Sequence, residues 1–216
     1  MDRRLKQKPV NVVKVVLFGP ESTGKTTLAN QLAYHYQTVW APEFAREYLQ
    51  DKWNDRRQVC EQKDLLPIAI GQMKLENKLA QRADKVLICD TDLLETKVYS
   101  EEYYDGIVDP DLEVAAKKNQ YDIYLLTYID IPWKFDSIRD RPGQREVMFN
   151  AFENALKKYN RPYLLLKGNE EIRFKKAVEV IDGIIVKKES LYNYSKSQDI
   201  VVKRKSLFSK FFNFGD

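Results

Sequence analysis

The stretch Phe18-Gly19-Pro20-Glu21-Ser22-Thr23-Gly24-Lys25-Thr26-Thr27-Leu28 decides the reading of this chain. It fits the pattern G-x-x-x-x-G-K-[ST], with Gly19, Gly24, Lys25 and Thr26 in the fixed places. Each residue type there has a physical reason. Glycines let the backbone curl so that successive N–H groups point at polyphosphate oxygens. Lys25 is placed to reach the β/γ-phosphates, and the Thr26 hydroxyl to hold Mg²⁺. The whole loop, Gly19, Pro20, Glu21, Ser22, Thr23, Gly24, Lys25, Thr26 and Thr27, is therefore assigned to a nucleoside triphosphate.

The flanks support the assignment. Asn11 to Phe18 is β-branched and apolar, as a buried parallel strand requires. Leu28, Leu32, Ala33 and Tyr36 then recur at helical spacing, which points a helix N-terminus and its dipole at the bound phosphate.

Further along, strand and helix patterns alternate, which predicts a doubly wound α/β fold of the P-loop NTPase type, a five-stranded, mostly parallel sheet with helices on both faces. Residues 11–186 are read as this domain, 1–10 as an N-terminal extension and 187–216 as a flexible basic, aromatic tail. The chain of 216 residues suits a single such domain. Residues 187–216 hold seven Lys/Arg against three Asp/Glu, so the net charge of +4 resides there and the rest of the chain balances to zero. A nucleic-acid surface on the domain thus has no support from net charge, whereas the tail suits a membrane surface or an acidic protein partner. The only cysteines are Cys60 and Cys89, the second inside an apolar strand. A disulfide framework is not expected, and neither is a signal peptide or membrane span, which makes the cytoplasm the expected location.

Candidate site residues lie at the carboxyl ends of predicted strands, where ligands collect in open α/β sheets. Thr38–Ala41 reads as a short strand running into Pro42-Glu43-Phe44-Ala45-Arg46-Glu47-Tyr48, whose charged and aromatic side chains suit a polar acceptor. A long helix over 61–83 follows, with Leu66, Ala69, Met73 and Ala80 as its apolar stripe and Gln72 and Lys74 on the solvated face. Lys85 to Asp92 is a strand ending in Asp90-Thr91-Asp92. Asp90 fits the Mg²⁺-ordering carboxylate, and Asp92 is a candidate base for an attacking hydroxyl that also suits a helix cap. After a fourth strand, the Pro/Gly-punctuated segment carrying Arg139, Arg141 and Arg145 suits a lid over the triphosphate.

Together these segments resemble the ribosylnicotinamide kinases, the kinase-domain family of NadR. Gly19-Pro-Glu-Ser-Thr-Gly-Lys-Thr, Glu43-x-x-Arg46-Glu47, Asp90-Thr-Asp92 and Trp133-x-x-Asp136-x-x-Arg139 carry the likeness, which spans about residues 11–185. The resemblance implies transfer of the ATP γ-phosphoryl group to the 5′-hydroxyl of nicotinamide riboside. In that reading Lys25, Asp92, Glu43 and Arg139 are catalytic, with the base left between Asp92 and Glu43. Arg141 and Arg145 join the loop on ATP. Glu43, Arg46, Glu47, Asp92, Trp133 and Asp136 hold the nucleoside, and Thr26 and Asp90 the Mg²⁺. Where family lids carry Asp-Asp-Gly, this chain has Phe135-Asp136-Ser137. Larger relatives add an adenylyltransferase signature H-x-G-H, which a chain with one histidine, His35, does not contain. Two other readings stay open: another small-molecule or deoxynucleoside kinase, and a regulatory ATP-binding protein acting through its tail.

Overall fold

The computed structural model describes residues 2–133 and 142–212. Its strands are β1 (Val13–Phe18), β2 (Trp40–Ala41), β3 (Val86–Asp90), β4 (Ile123–Thr127) and β5 (Tyr163–Leu166), all parallel in the order β2-β3-β1-β4-β5. Among the described residues the helices are α1 (Lys25–His35), α2 (Phe44–Arg56), α3 (Gln62–Ala80), α4 (Leu93–Tyr103), α5 (Pro110–Lys118), α6 (Arg145–Lys158) and α7 (Glu170–Phe212). This is the five-stranded, doubly wound P-loop architecture expected from the sequence.

Period-two alternation explains how β1 is buried on both sides. Val13, Val15 and Leu17 pack with Leu28 and Leu32 of α1 and Ala177 and Ile181 of α7. Val16 and Phe18 face the other way, onto Leu94 and Val98 of α4 and Phe152 and Leu156 of α6. The chain leaves β1 for β2 on one side and later crosses to β4 on the other, so the end of β1 is the switch point of the sheet. Gly19 begins the loop there with φ +132°, and an added Cβ would lie 2.8 Å from Thr127 Oγ1 and 2.9 Å from its carbonyl oxygen. Only glycine fits that approach between the ends of β1 and β4.

Two chain ends differ from the sequence expectation. Residues Arg3–Leu5 form a 3₁₀ turn that buries Leu5 completely against Ala69 and Met73 of α3 and Leu112 of α5. Asn77 fixes the next residues, accepting from Lys8 N at 2.7 Å and donating to Lys6 O at 2.9 Å. Buried Glu76 accepts from Gln7 Nε2 at 3.0 Å, Lys14 Nζ at 2.9 Å and Tyr121 OH at 2.6 Å. The leading segment is thus part of the core. At the other end, α7 does not stop near residue 186: no Gly or Pro interrupts residues 184–212, and Lys188 Nζ reaches Val12 O at 2.9 Å and Asp122 at 3.2 Å.

Gln72 is also placed differently. It is buried on α3, where its side-chain oxygen accepts from Phe44 N at 2.8 Å and its amide donates to Pro42 O at 3.2 Å. Beside it, Gly71 has no side chain because the Phe44 ring occupies that space. The pair sets where α2 begins.

Leu5→Ala is expected to cost about 3 kcal/mol, as a fully buried leucine does. Urea denaturation would check this, since a residue outside the core would cost under about 0.5 kcal/mol.

Candidate active site

The loop after β1 is held by hydroxyls and buried cations. Thr23 Oγ1 bonds Pro20 O at 2.7 Å and Thr127 Oγ1 at 2.7 Å, while Thr127 Oγ1 donates to Phe18 O at 3.2 Å. Gly24, at φ +84°, opens α1, so the first-turn N–H groups of that helix face the loop. Lys25 turns its Nζ back onto Gly19 O at 2.5 Å and Pro20 O at 3.1 Å, and lies 3.2 Å from Glu95 Oε1. Burial works against its charge, but the carboxylates of Glu95, Glu43 and Asp90 outweigh that and hold the ammonium above its ordinary value.

The Mg²⁺ pair named from sequence comes together. Thr26 Oγ1 donates to Asp90 Oδ2 at 2.6 Å. Asp90 Oδ1 is buried with no hydrogen-bond partner among the described residues, the kind of oxygen a cation would complete. No cluster of three or more acidic, His or Cys side chains able to hold a metal occurs among the described residues.

Two cavities meet above this floor. One, of about 290 Å³, is lined by the loop from Glu21 to Leu28 with Arg46, Ile131 and Arg173. The other, of about 260 Å³, lies between α2, α3 and α4, with Trp53, Cys60, Ile68, Glu95, Tyr103 and Tyr104 in its wall. Both share Glu21, Glu43, Ala45, Leu49 and Tyr99. Glu43 is the N-cap of α2, yet its side chain makes no capping bond. It stands at the junction of the two cavities instead.

A protein family described as AAA domain matches residues 14–173, most of the chain. The chain belongs to the AAA domain family. It is also similar to the trifunctional NAD biosynthesis/regulator protein NadR of Salmonella typhimurium, 28% identical over 177 residues, and to that of Escherichia coli, 27% identical over the same length. Those matches cover 81% of this chain and 43% of each relative, so the chain spans less than half their length. Among solved structures, NadR in complex with NR superposes with a TM-score of 0.65 at 19% identity, covering 80% of this chain and 50% of that one. Thymidylate kinase from Ehrlichia chaffeensis gives 0.56 at 17%, covering 81% of this chain and all of the other. The AAA domain here thus has the fold of P-loop kinases.

Not every residue singled out from the sequence reaches the cavities of this AAA domain. Asp92 is buried at the N-cap of α4, with Oδ1 accepting from Glu95 N at 3.0 Å and Oδ2 from Tyr124 OH at 2.8 Å. It lines neither cavity, and burial raises it to about 6. Glu47 is exposed and lines a separate surface groove with Tyr48 and Lys52, because one residue along a helix turns the side chain by about 100° from Arg46. Arg145 is committed to main chain: Nη1 donates to Ile131 O at 3.0 Å and Nη2 to Ser22 O at 3.2 Å, with Trp133 beside the guanidinium at 5.8 Å. Asp136, Arg139 and Arg141 lie outside the described residues.

Two residues not found from sequence stand in the site. Arg173, from the first turns of α7, is buried and donates to Thr23 O at 2.6 Å, Gly168 O at 2.9 Å and Tyr128 O at 2.9 Å, and it pairs with Asp130. It ties the phosphate loop to the ends of β4 and β5. Glu95 is three residues after Asp92, a spacing that reads as a capping box. Its side chain turns away from the helix end, toward Lys25 and the second cavity. Burial pushes it up to about 8, against the pull of Lys25. Burial also raises Asp90 to about 6, aided by Glu43 and opposed by Lys25 and Thr26.

These three carboxylates titrate higher in the fold than in the unfolded chain, so between about pH 4 and pH 8 the folded protein binds more protons. Their contribution to stability is full at low pH and is lost as pH rises through that window. The urea midpoint is expected to fall from about pH 5 to pH 8.5, and Glu95→Gln to flatten the portion above about pH 6.5. A midpoint climbing with pH over that upper portion would contradict the assignment.

Proposed function

We propose that this protein is an ATP- and Mg²⁺-dependent kinase that phosphorylates the 5′-hydroxyl of nicotinamide riboside, giving nicotinamide mononucleotide. The observation that carries the proposal is the second cavity and its junction with the first. Its wall combines Glu21, Glu43 and Glu95 with Trp53, Tyr99, Tyr103 and Tyr104, and among the described residues it includes no Lys or Arg. Such a wall repels a nucleoside monophosphate. It attracts a ring bearing positive charge, through acidic side chains and aromatic faces together. The pyridinium of nicotinamide riboside is such a ring. The similarity to NadR, one structure of which holds NR and another NAD with AMP-PNP, supports the same reading.

In this mechanism the loop amides and Lys25 hold the β- and γ-phosphates. Mg²⁺, held by Thr26 and Asp90, supplies neutralising charge at the phosphate oxygens when bound. Glu43, at the shared wall, accepts the proton of the 5′-hydroxyl as its oxygen bonds to the γ-phosphorus. The bond from that phosphorus to the β–γ bridging oxygen breaks, and ADP leaves with the bridging oxygen. Arg46 positions the acceptor from the first cavity. Arg139 and Arg141 are assigned to the charge that develops in transfer. Holding donor and acceptor in line supplies most of the rate in such chemistry.

ADP release assayed against a panel of nucleosides tests this directly. Nicotinamide riboside is expected to outpace thymidine and deoxyadenosine. Glu43→Gln is expected to lower turnover about 100-fold or more with little change in AMP-PNP affinity. Cys60 lines the acceptor cavity whereas Cys89 is fully buried, so maleimide labelling reports on Cys60. Nicotinamide riboside should slow that labelling. Equal turnover of neutral nucleosides, together with no protection, would refute the acceptor assignment.

A further inference from the structure

The acceptor reading leaves one group in the site without a task. Glu95 is 1% exposed, and neither of its carboxylate oxygens has a hydrogen-bond donor among the described residues. Among the described residues, the cation beside it is the Lys25 ammonium, 3.2 Å from Oε1. An acid three residues after an N-cap ordinarily reaches back to the cap N–H or lies in solvent, where it interacts favourably with the helix dipole. Glu95 does neither. Leaving a buried carboxylate so poorly satisfied is costly, so a purely structural role accounts badly for it.

The position of Glu95 supplies the missing task. It touches the lysine that the loop motif dedicates to phosphate, and it lines the acceptor cavity while Lys25 lines the nucleotide cavity. The same ammonium is drawn back onto Gly19 O and Pro20 O. A polyphosphate on the loop must compete for it.

We propose that Glu95 couples the two substrates: it holds Lys25 until a polyphosphate takes that ammonium, and the released carboxylate then accepts a hydroxyl of the acceptor. Glu95 is in this sense a positioning residue for Lys25 and a binding residue for the acceptor. Each substrate strengthens the other by the same factor, as linkage requires. The acceptor half rests on the kinase reading above, whereas the exchange at Lys25 does not.

Calorimetry with Mg·AMP-PNP at about pH 8.5, where Glu95 carries charge despite its burial, separates the two halves. Glu95→Gln is expected to tighten AMP-PNP about threefold to tenfold, because Lys25 no longer leaves a carboxylate. Glu95→Asp, with the charge withdrawn by one methylene, should move the same way by less, and it serves if the glutamine variant does not fold. In the wild type, AMP-PNP should improve nicotinamide riboside binding about fivefold or more, read as protection of Cys60, and Glu95→Gln should abolish that improvement. Unchanged or weaker AMP-PNP binding in the folded variants would overturn the exchange, whatever the acceptor. Retained synergy in Glu95→Gln would overturn the coupling. Failure of nicotinamide riboside to protect Cys60 in the wild type, with AMP-PNP tightening intact in the variant, would sink the acceptor assignment and leave the exchange at Lys25 standing.

Discussion

The buried ammonium of Lys25 is the constraint around which the site is arranged. Burial alone lowers the hold of Lys25 on its proton, and the carboxylates of Glu95, Glu43 and Asp90 would be costly in the same volume without that ammonium. Each sign tolerates the interior because the other is present. The balance is uneven, with several acids near one lysine, and the surplus shows as carboxylates whose protons are held well above the ordinary range. A site with surplus negative charge receives a polyanion only if something else is positive. The first-turn N–H groups of α1 and the amides of the loop provide fixed partial charge, Arg46 and Arg173 line the same cavity, and in the proposed mechanism a divalent cation at Asp90 and Thr26 would add to them. In the proposed mechanism, a requirement for Mg²⁺ with nucleotide would thus rest on these carboxylates as well as on the loop motif.

The acceptor side depends on packing, with an ion pair between Lys52 of α2 and Asp64 of α3, at 2.6 Å, beside it. Glu43 reaches the junction of the cavities because α2 begins where Gly71 and Gln72 of α3 allow. The Phe44 ring lies over the bare backbone of Gly71, and the Gln72 amide grips main chain on both sides of Glu43. A glycine inside a helix costs about 1 kcal/mol relative to alanine, and a buried glutamine must find partners for both ends of its amide. Both costs sit at the one place where a shift of α2 would move the residue proposed to take the proton. Arg173 does the corresponding work for the nucleotide side, using one buried guanidinium to fix carbonyls from the loop, β4 and the turn after β5.

What could be seen in the sequence was whatever depends on local chemistry. Strand β1, its loop and α1 are a continuous run whose glycines, lysine and threonine each have one reason to be there, and the alternating pattern beyond them gives the layered sheet. Asp90 and Glu43 were singled out because strand ends are where ligands collect in such sheets. Asp92 shows where that rule stops: two residues past the strand, it had a choice between cavity and cap, and the Tyr124 hydroxyl, 32 positions away, decides for the cap. Glu95, Gln72, Arg173 and Leu5 were hidden for the same reason. Gln72 reads as part of a solvated helix face, and nothing local singles out Glu95, Arg173 or Leu5. Only partners far along the chain (Lys25, Phe44, Thr23 and Met73) make them interior residues.

The way the two cavities share a wall bears on why transfer would prevail over hydrolysis. Glu21, Glu43, Ala45, Leu49 and Tyr99 border both spaces, so a hydroxyl seated against Glu43 from the second cavity faces the phosphate end of the first. On the second-cavity side that point adjoins Trp53, Leu65, Ile68 and tyrosines, which hold water poorly. An acceptor that fills that apolar space displaces the competing nucleophile as it delivers its own. It also brings a neutralising charge to Glu21, Glu43 and Glu95 if its ring is cationic, which a neutral nucleoside of the same size does not. Selectivity and protection of the phosphoryl group would then arise from one act of binding, since the ring that the wall favours would also fill the space beside the junction.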